Sequence, residues 1–165
     1  MIRYRPPAPK KSPYITPVGM QALAAEQKSI WLKRREVVAA LSAAAAEGDR
    51  SENAEYIYRK KELRELDRRI RYLQKRLPEL KVVDQKPGNT DSVYFGARVK
   101  LEDEDGNTVD YRIVGPDEFD HEENYISVDS PLARALLKSE LGDEVDVAVP
   151  SGRLVYIIVG ISYRD

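Results

Sequence analysis

No proline occurs between Pro17 and Pro78. A proline inside a helix removes a hydrogen bond and clashes with the preceding turn, so this stretch can carry long uninterrupted helices. Thr16-Pro17 is a favourable opening, a capping hydroxyl directly before a proline at the first helical position. Leu23, Gln27, Ile30, Arg34, Val37, Leu41 and Ala44 then recur at alternating spacings of four and three, a seam with two polar members. Tyr56, Arg59, Leu63, Leu66, Ile70, Leu73, Leu77 and Leu80 continue the rhythm more cleanly. Between the runs lies Glu47-Gly48-Asp49-Arg50-Ser51, where Gly48 can take the left-handed conformation that ends a helix. Two helices joined by so short a link fold back antiparallel. At 1.5 Å rise per residue, roughly thirty residues per helix gives an arm on the order of 45 Å long. Its far end is the turn from Gly48 to Asn53.

After Pro87-Gly88-Asn89 the pattern changes to short alternating runs: Tyr94 to Leu101, Thr108 to Val114, Tyr125 to Val128, Glu144 to Val149 and Leu154 to Tyr163. These are expected strands. Asp105-Gly106 marks a hairpin between the first two, and Pro150-Ser151-Gly152 separates the last two. A single short helix interrupts them, with Ser130 as cap, Pro131 in the first turn and Leu132, Ala135, Leu136 and Leu137 as apolar content. The fold class is therefore α+β, a helical hairpin followed by an antiparallel β domain with one short helix.

Composition removes many kinds of chemistry. There is no cysteine and only one histidine, His121, so disulfides, thiol nucleophiles, cysteine-ligated zinc and most imidazole schemes are excluded. Uncharged stretches such as Leu41 to Ala46 and Leu154 to Ser162 fall short of the roughly 20 residues a spanning helix needs. The proline-rich, basic start, Met1 to Ser12, has no apolar run of the kind a signal peptide carries, and cytoplasm is the expected location. Net charge is −1, yet residues 1 to 81 carry 19 Lys and Arg against 10 Asp and Glu, and residues 82 to 165 carry 8 against 18. Such a division either solvates two surfaces or separates a polyanion-binding half from one that avoids nucleic acid and docks on protein.

At the turn, Asp49 and Glu52 stand three residues apart before a helix. In a structural role, Asp49 caps the helix, Glu52 reaches back, and Ser51 competes as cap. In a chemical role, one or both carboxylates ligate a divalent cation, as hard cations prefer carboxylate oxygen. Two carboxylates on an arm make a poor Mg²⁺ site alone, and a helix N-terminus favours anions over cations. Useful affinity would need ligands from a partner's active site. Behind the tip, Lys61, Arg64, Arg68, Arg71 and Lys75 share one helix face, with Arg59, Lys60, Arg69 and Arg76 nearby. This row is either the solvated flank of a coiled coil or a stripe for single-stranded RNA held by sequence-independent phosphate contacts.

Gly48-Asp49-Arg50-Ser51-Glu52-Asn53-Ala54-Glu55-Tyr56 resembles the tip motif of the GreA/GreB transcript-cleavage factors. The run from Arg59 to Leu73 is similar to the more basic GreB branch. Phe95-Gly96-Ala97, Tyr111 to Gly115, Tyr125 to Pro131 and Ala133 to Leu137 fit the same family. The extension over 1–14, basic and proline-rich, lies outside the resemblance and is expected to be disordered; the resemblance implies a coiled-coil hairpin with an acidic tip over 15–83 and an FKBP-like polymerase-docking domain over 84–165. It implies a monomeric accessory factor, not a free-standing enzyme, whose second domain binds the rim of RNA polymerase's secondary channel through Ser127, Asp129, Ser130 and Pro131. The hairpin would enter that channel. Asp49 and Glu52 would hold the second catalytic Mg²⁺ jointly with the polymerase, and Arg59, Lys60, Lys61, Arg64, Arg68, Arg71 and Lys75 would hold the 3′ end of the nascent RNA. Cleavage of that RNA in backtracked complexes is the implied outcome.

Two alternatives belong to other classes. A regulatory or inhibitory channel-binding paralogue would occupy the polymerase without stimulating cleavage; the retention of both Asp49 and Glu52 argues against it. A peptidyl-prolyl isomerase would share the expected second-domain fold, but nothing in the sequence identifies an apolar active pocket, and fold does not fix function.

Overall fold

The computed structural model describes residues 6–7, 10–48 and 52–163. The chain divides into two compact units, one of Met20–Leu80 and one combining the residues up to Gly19 with those from Lys81 onward.

In the first unit, helix α1 (Pro17–Ala45), which begins in the other unit, runs for 29 residues. Helix α2 (Ala54–Arg76) has 23. At 1.5 Å per residue these are about 43 and 35 Å long. The second helix is shorter than its sequence periodicity implies, because the seam continues past Arg76 through a 3₁₀ turn, Leu77–Glu79, that contains Pro78. Every residue of the expected seam is buried or half-buried. The most enclosed on α1 are Leu23, Ile30, Val37 and Ala44, one per heptad, and on α2 Ile70 and Leu73. Charged residues in and beside the seam pair across it. Arg34 bonds Asp67 at 2.7 Å, and Arg69 grips both oxygens of Glu26 at 2.7 and 2.9 Å. Half-exposed ion pairs contribute little stability, at most about 1 kcal/mol each. Their directional contacts instead fix the antiparallel register.

The second unit holds a five-stranded sheet in the order β5-β4-β3-β7-β6, built from β3 (Arg98–Glu102), β4 (Thr108–Val114), β5 (Tyr125–Ser127), β6 (Glu144–Val149) and β7 (Gly152–Ser162). Helix α3 (Pro131–Leu136) follows β5, capped by Ser130 as expected, whose hydroxyl accepts from the Ala133 N–H at 3.2 Å. The core draws on alternate strand residues, among them Val99, Leu101, Val145, Val147 and Ile158, with Ala133 and Leu136 from α3. The α+β class holds, but the sheet is mixed: β5 pairs parallel to β4. The 3₁₀ turn Phe119–His121 lies within the connection between them. That connection is too long for a tight hairpin and lets the chain return in the same direction.

The domain boundaries also differ from expectation. The sequence pattern places residues 10–14 in a disordered extension and Ile15 in the hairpin. In the structure, β1 (Tyr14–Ile15) pairs in parallel with β2 (Lys81–Val82), and both belong to the second unit. The anchor is Glu118, only 2% exposed. Its carboxylate accepts from the Thr16 N–H at 2.8 Å, from the Gly115 N–H at 3.0 Å and from the Thr16 hydroxyl. Thr16 in turn caps α1, its Oγ1 accepting from the Gly19 N–H at 3.1 Å. Gly115 is sterically required here, because a Cβ would lie 2.1 Å from the Tyr14 carbonyl oxygen.

Removing this carboxylate would leave three donors without their partner. Glu118→Ala is expected to cost about 3 kcal/mol in equilibrium urea unfolding, with Glu118→Gln intermediate. A loss below about 1 kcal/mol would show that the anchor is not structurally important.

Candidate functional site at the hairpin tip

The tip is defined by how each helix ends. Gly48 has φ +125°, a value open to glycine and costly for residues with a Cβ. On the far side Asn53, with extended backbone, is the cap of α2, its Oδ1 accepting from the Tyr56 N–H at 3.1 Å. The same side chain donates from Nδ2 to the Ala44 carbonyl at 2.7 Å, near the end of α1. One amide thus satisfies an orphan donor of one helix and an acceptor of the other, using both halves of its hydrogen-bonding capacity.

This differs from the expected capping arrangement. With Asn53 as cap, Glu52 precedes the helix and Tyr56 occupies the third helical position, so Glu52 is not placed to reach back as in a capping box. Glu52 is exposed and makes no hydrogen bond or ion pair with a described residue. Asp49 and Ser51, the other capping candidates, lie outside the described residues, and so does Arg50. Among the described residues no group of three or more His, Cys, Asp or Glu could hold a metal ion. Glu52 offers a hard oxygen donor, with no complete metal site among these residues.

Along α2, Lys61, Arg64, Arg68, Arg71 and Lys75 are exposed and have no ion-pair partner among the described residues. Lys60 is also exposed, its Nζ 5.8 Å from the centre of the Tyr56 ring. Arg59 is set apart from this row. Its guanidinium bonds Glu55 at 2.8 Å and Glu62 at 3.4 Å, and the Glu55 hydrogen bond is the main cause that holds its pKa above the ordinary value. Arg69 and Arg76 are likewise committed, to Glu26 and Glu79.

The expected docking segment lies in the other unit. Ser130 caps α3, and the Asp129 N–H donates to the Ser127 hydroxyl at 3.1 Å. Pro131 is exposed at the first helical position. Asp129 receives two further bonds, one to each carboxylate oxygen, from the Ser12 N–H at 2.9 Å and the Ser12 hydroxyl. Sequence reasoning missed Ser12 because a contact across 117 residues leaves no periodic trace. It missed Asn53 because Asp49 and Ser51 were equally good local caps. Asn53 combines an acceptor for α2 with a donor for α1.

Comparison with known proteins covers both units. The family description "Transcription elongation factor, N-terminal" (GreA_GreB_N) matches residues 13–82. "Transcription elongation factor, GreA/GreB, C-term" matches residues 88–163. A curated transcription elongation factor GreB from Xanthomonas axonopodis pv. citri is 56% identical over 167 residues, covering 100% of this chain and 99% of that protein. The GreB of Pseudomonas aeruginosa is 56% identical over 164 residues, covering 99% and 98%.

The division of labour at the tip is testable by stability alone. Asn53→Ala should lower hairpin stability by about 1–2 kcal/mol in thermal or urea unfolding followed by helical circular dichroism. Glu52→Gln should stay within about 0.5 kcal/mol of the native chain. The reverse ranking would return Glu52 to a capping role.

Proposed function

Because the chain belongs to the GreA/GreB family of transcription elongation factors, on its GreB branch, we propose that it acts on RNA polymerase and stimulates cleavage of the nascent transcript in backtracked complexes. The observation that carries this reading is the exposed Glu52 carboxylate, released from capping by Asn53 and standing at the end of a long two-helix arm. The second unit docks at the rim of the secondary channel through the segment Ser127 to Pro131, where Asp129 is already oriented by Ser12. The arm enters the channel with its tip foremost.

In this scheme Asp49 and Glu52 hold Mg²⁺ together with ligands from the polymerase, an ion that stabilises charge on phosphate oxygens and activates water when bound. The chain itself supplies no nucleophile. Glu52 contributes an ionised oxygen donor, and its place before the first turn of α2 favours that charge. Lys60, Lys61, Arg64, Arg68, Arg71 and Lys75 hold the displaced 3′ end of the RNA through its phosphates, a contact that carries no sequence information. Arg59 stiffens the tip-proximal turn through Glu55 and Glu62. The protein is thus an accessory to the polymerase's own active centre.

RNA cleavage in purified, backtracked complexes with Mg²⁺ tests this. The native chain should accelerate cleavage, and Asp49→Asn and Glu52→Gln should each lose most of that acceleration, on the order of tenfold or more, while still binding polymerase. A native chain that binds without accelerating cleavage would favour an inhibitory channel-binding factor. Equal activity of native and variant chains would leave the carboxylates without a catalytic role.

A further inference from the structure

The exposed cations of α2 have a neighbour that is not a cation. Lys61, Arg64, Arg68, Arg71 and Lys75 recur at spacings of three and four. Four residues before Lys61, on the same helix face and nearer the tip, stands Ile57, which is 53% exposed. Tyr58 beside it is 58% exposed. Residues three and four apart are neighbours on a helix surface, so Lys61 lies beside both Ile57 and Tyr58. Tyr58 is also flanked by Arg59, whose guanidinium lies 5.5 Å from the ring centre while bonded to Glu55 and Glu62. This ion pairing and ring contact stiffen the tyrosine's surroundings, yet most of its surface stays open.

A lone exposed hydrophobe on a helix needs no explanation. Two adjacent ones at the head of a cationic row, five residues from an exposed carboxylate, form a composite surface, apolar at one point and positive beyond it. The charges of the row, without ion-pair partners among the described residues, select an anionic occupant, and the apolar step selects one that also carries a flat apolar group. A nucleotide strand meets both conditions, its phosphates against cations and its bases against aromatic or aliphatic side chains.

Resting on the function proposed above, we infer that Ile57 and Tyr58 form a landing surface for a nucleobase of the transcript's 3′-terminal segment, with Lys61 taking the adjacent phosphate. The surface tolerates any base, because every base presents a π-face. Its effect is to hold the strand end against the arm, so that the scissile phosphate is presented to the tip.

The test uses the full chain at saturating concentration on purified backtracked complexes. Ile57→Ala, Tyr58→Ala, the double variant and Tyr58→Phe are compared, alanine being the best helix former and both positions exposed. Two readouts are taken, polymerase affinity and cleavage rate, on transcripts whose displaced 3′-terminal nucleotides either carry bases or are abasic. With the double variant, cleavage of base-bearing RNA by the polymerase should be roughly tenfold slower, with unchanged affinity, unchanged helical circular dichroism and near-native behaviour of Tyr58→Phe. On abasic RNA the native chain should fall to the rate of the double variant. Equal rates on base-bearing RNA would overturn the inference. So would a defect that persists on abasic RNA or follows weakened polymerase binding, since either places these side chains against the channel wall. A native chain that fails to stimulate cleavage at all overturns the proposed function, and the inference with it.

Discussion

Asn53 joins the two helices at the point where the arm turns, and the tip depends on that one side chain. Its Nδ2 reaches the Ala44 carbonyl and its Oδ1 takes the Tyr56 N–H. A glutamate there could not donate, and a serine would be too short to span both groups with separate atoms. The seam of Leu23, Ile30, Val37, Ala44, Ile70 and Leu73 supplies the apolar burial. Glu26, Arg34, Asp67 and Arg69 select the register. The amide at the turn then fixes where the register ends, and it leaves Glu52 exposed with no structural bond among the described residues.

The parts of this fold written in periodic patterns were legible in the sequence. All fifteen seam positions are buried or half-buried; the opening of α1 at Thr16-Pro17 and the Ser130 cap of α3 match their local signals. The turn at Asp105-Gly106 also forms, with the Gly106 N–H donating to the Asp103 carbonyl at 3.1 Å. What the sequence concealed was of two kinds. Two-residue strands such as β1 and β2 are too short to show alternation, and a strand's direction is not encoded in its own residues, so the parallel pairing of β5 was not foreseen. The other kind is the long-range polar anchor. Glu118 reads as one acid in an acidic loop, and only the fold brings it to Thr16 and Gly115.

The same anchors revise the role of the residues before the hairpin. Basic and proline-rich, they look like a tail, and from Ser12 onward they are instead part of the second unit's structure. Ser12 engages both oxygens of Asp129, yet a carboxylate has roughly four acceptor positions. A partner cation would therefore meet a side chain whose rotamer is already set, with less entropy to lose on contact. Along α2, the exposed Lys61, Arg64, Arg68, Arg71 and Lys75 have no ion-pair partner among the described residues, while Arg59, Arg69 and Arg76 are paired within the chain. The sequence shows many basic residues; only the structure shows which are available.

Under the proposed function, Asp49 and Glu52 act as metal ligands shared with the polymerase. The most direct measurement is the Mg²⁺ concentration that gives half-maximal transcript cleavage, compared without factor, with the native chain and with Glu52→Gln at saturating concentration. The account predicts that the native chain lowers this concentration several-fold and that the variant, still bound, returns it to the value without factor. An identical Mg²⁺ dependence for native and variant chains would contradict it.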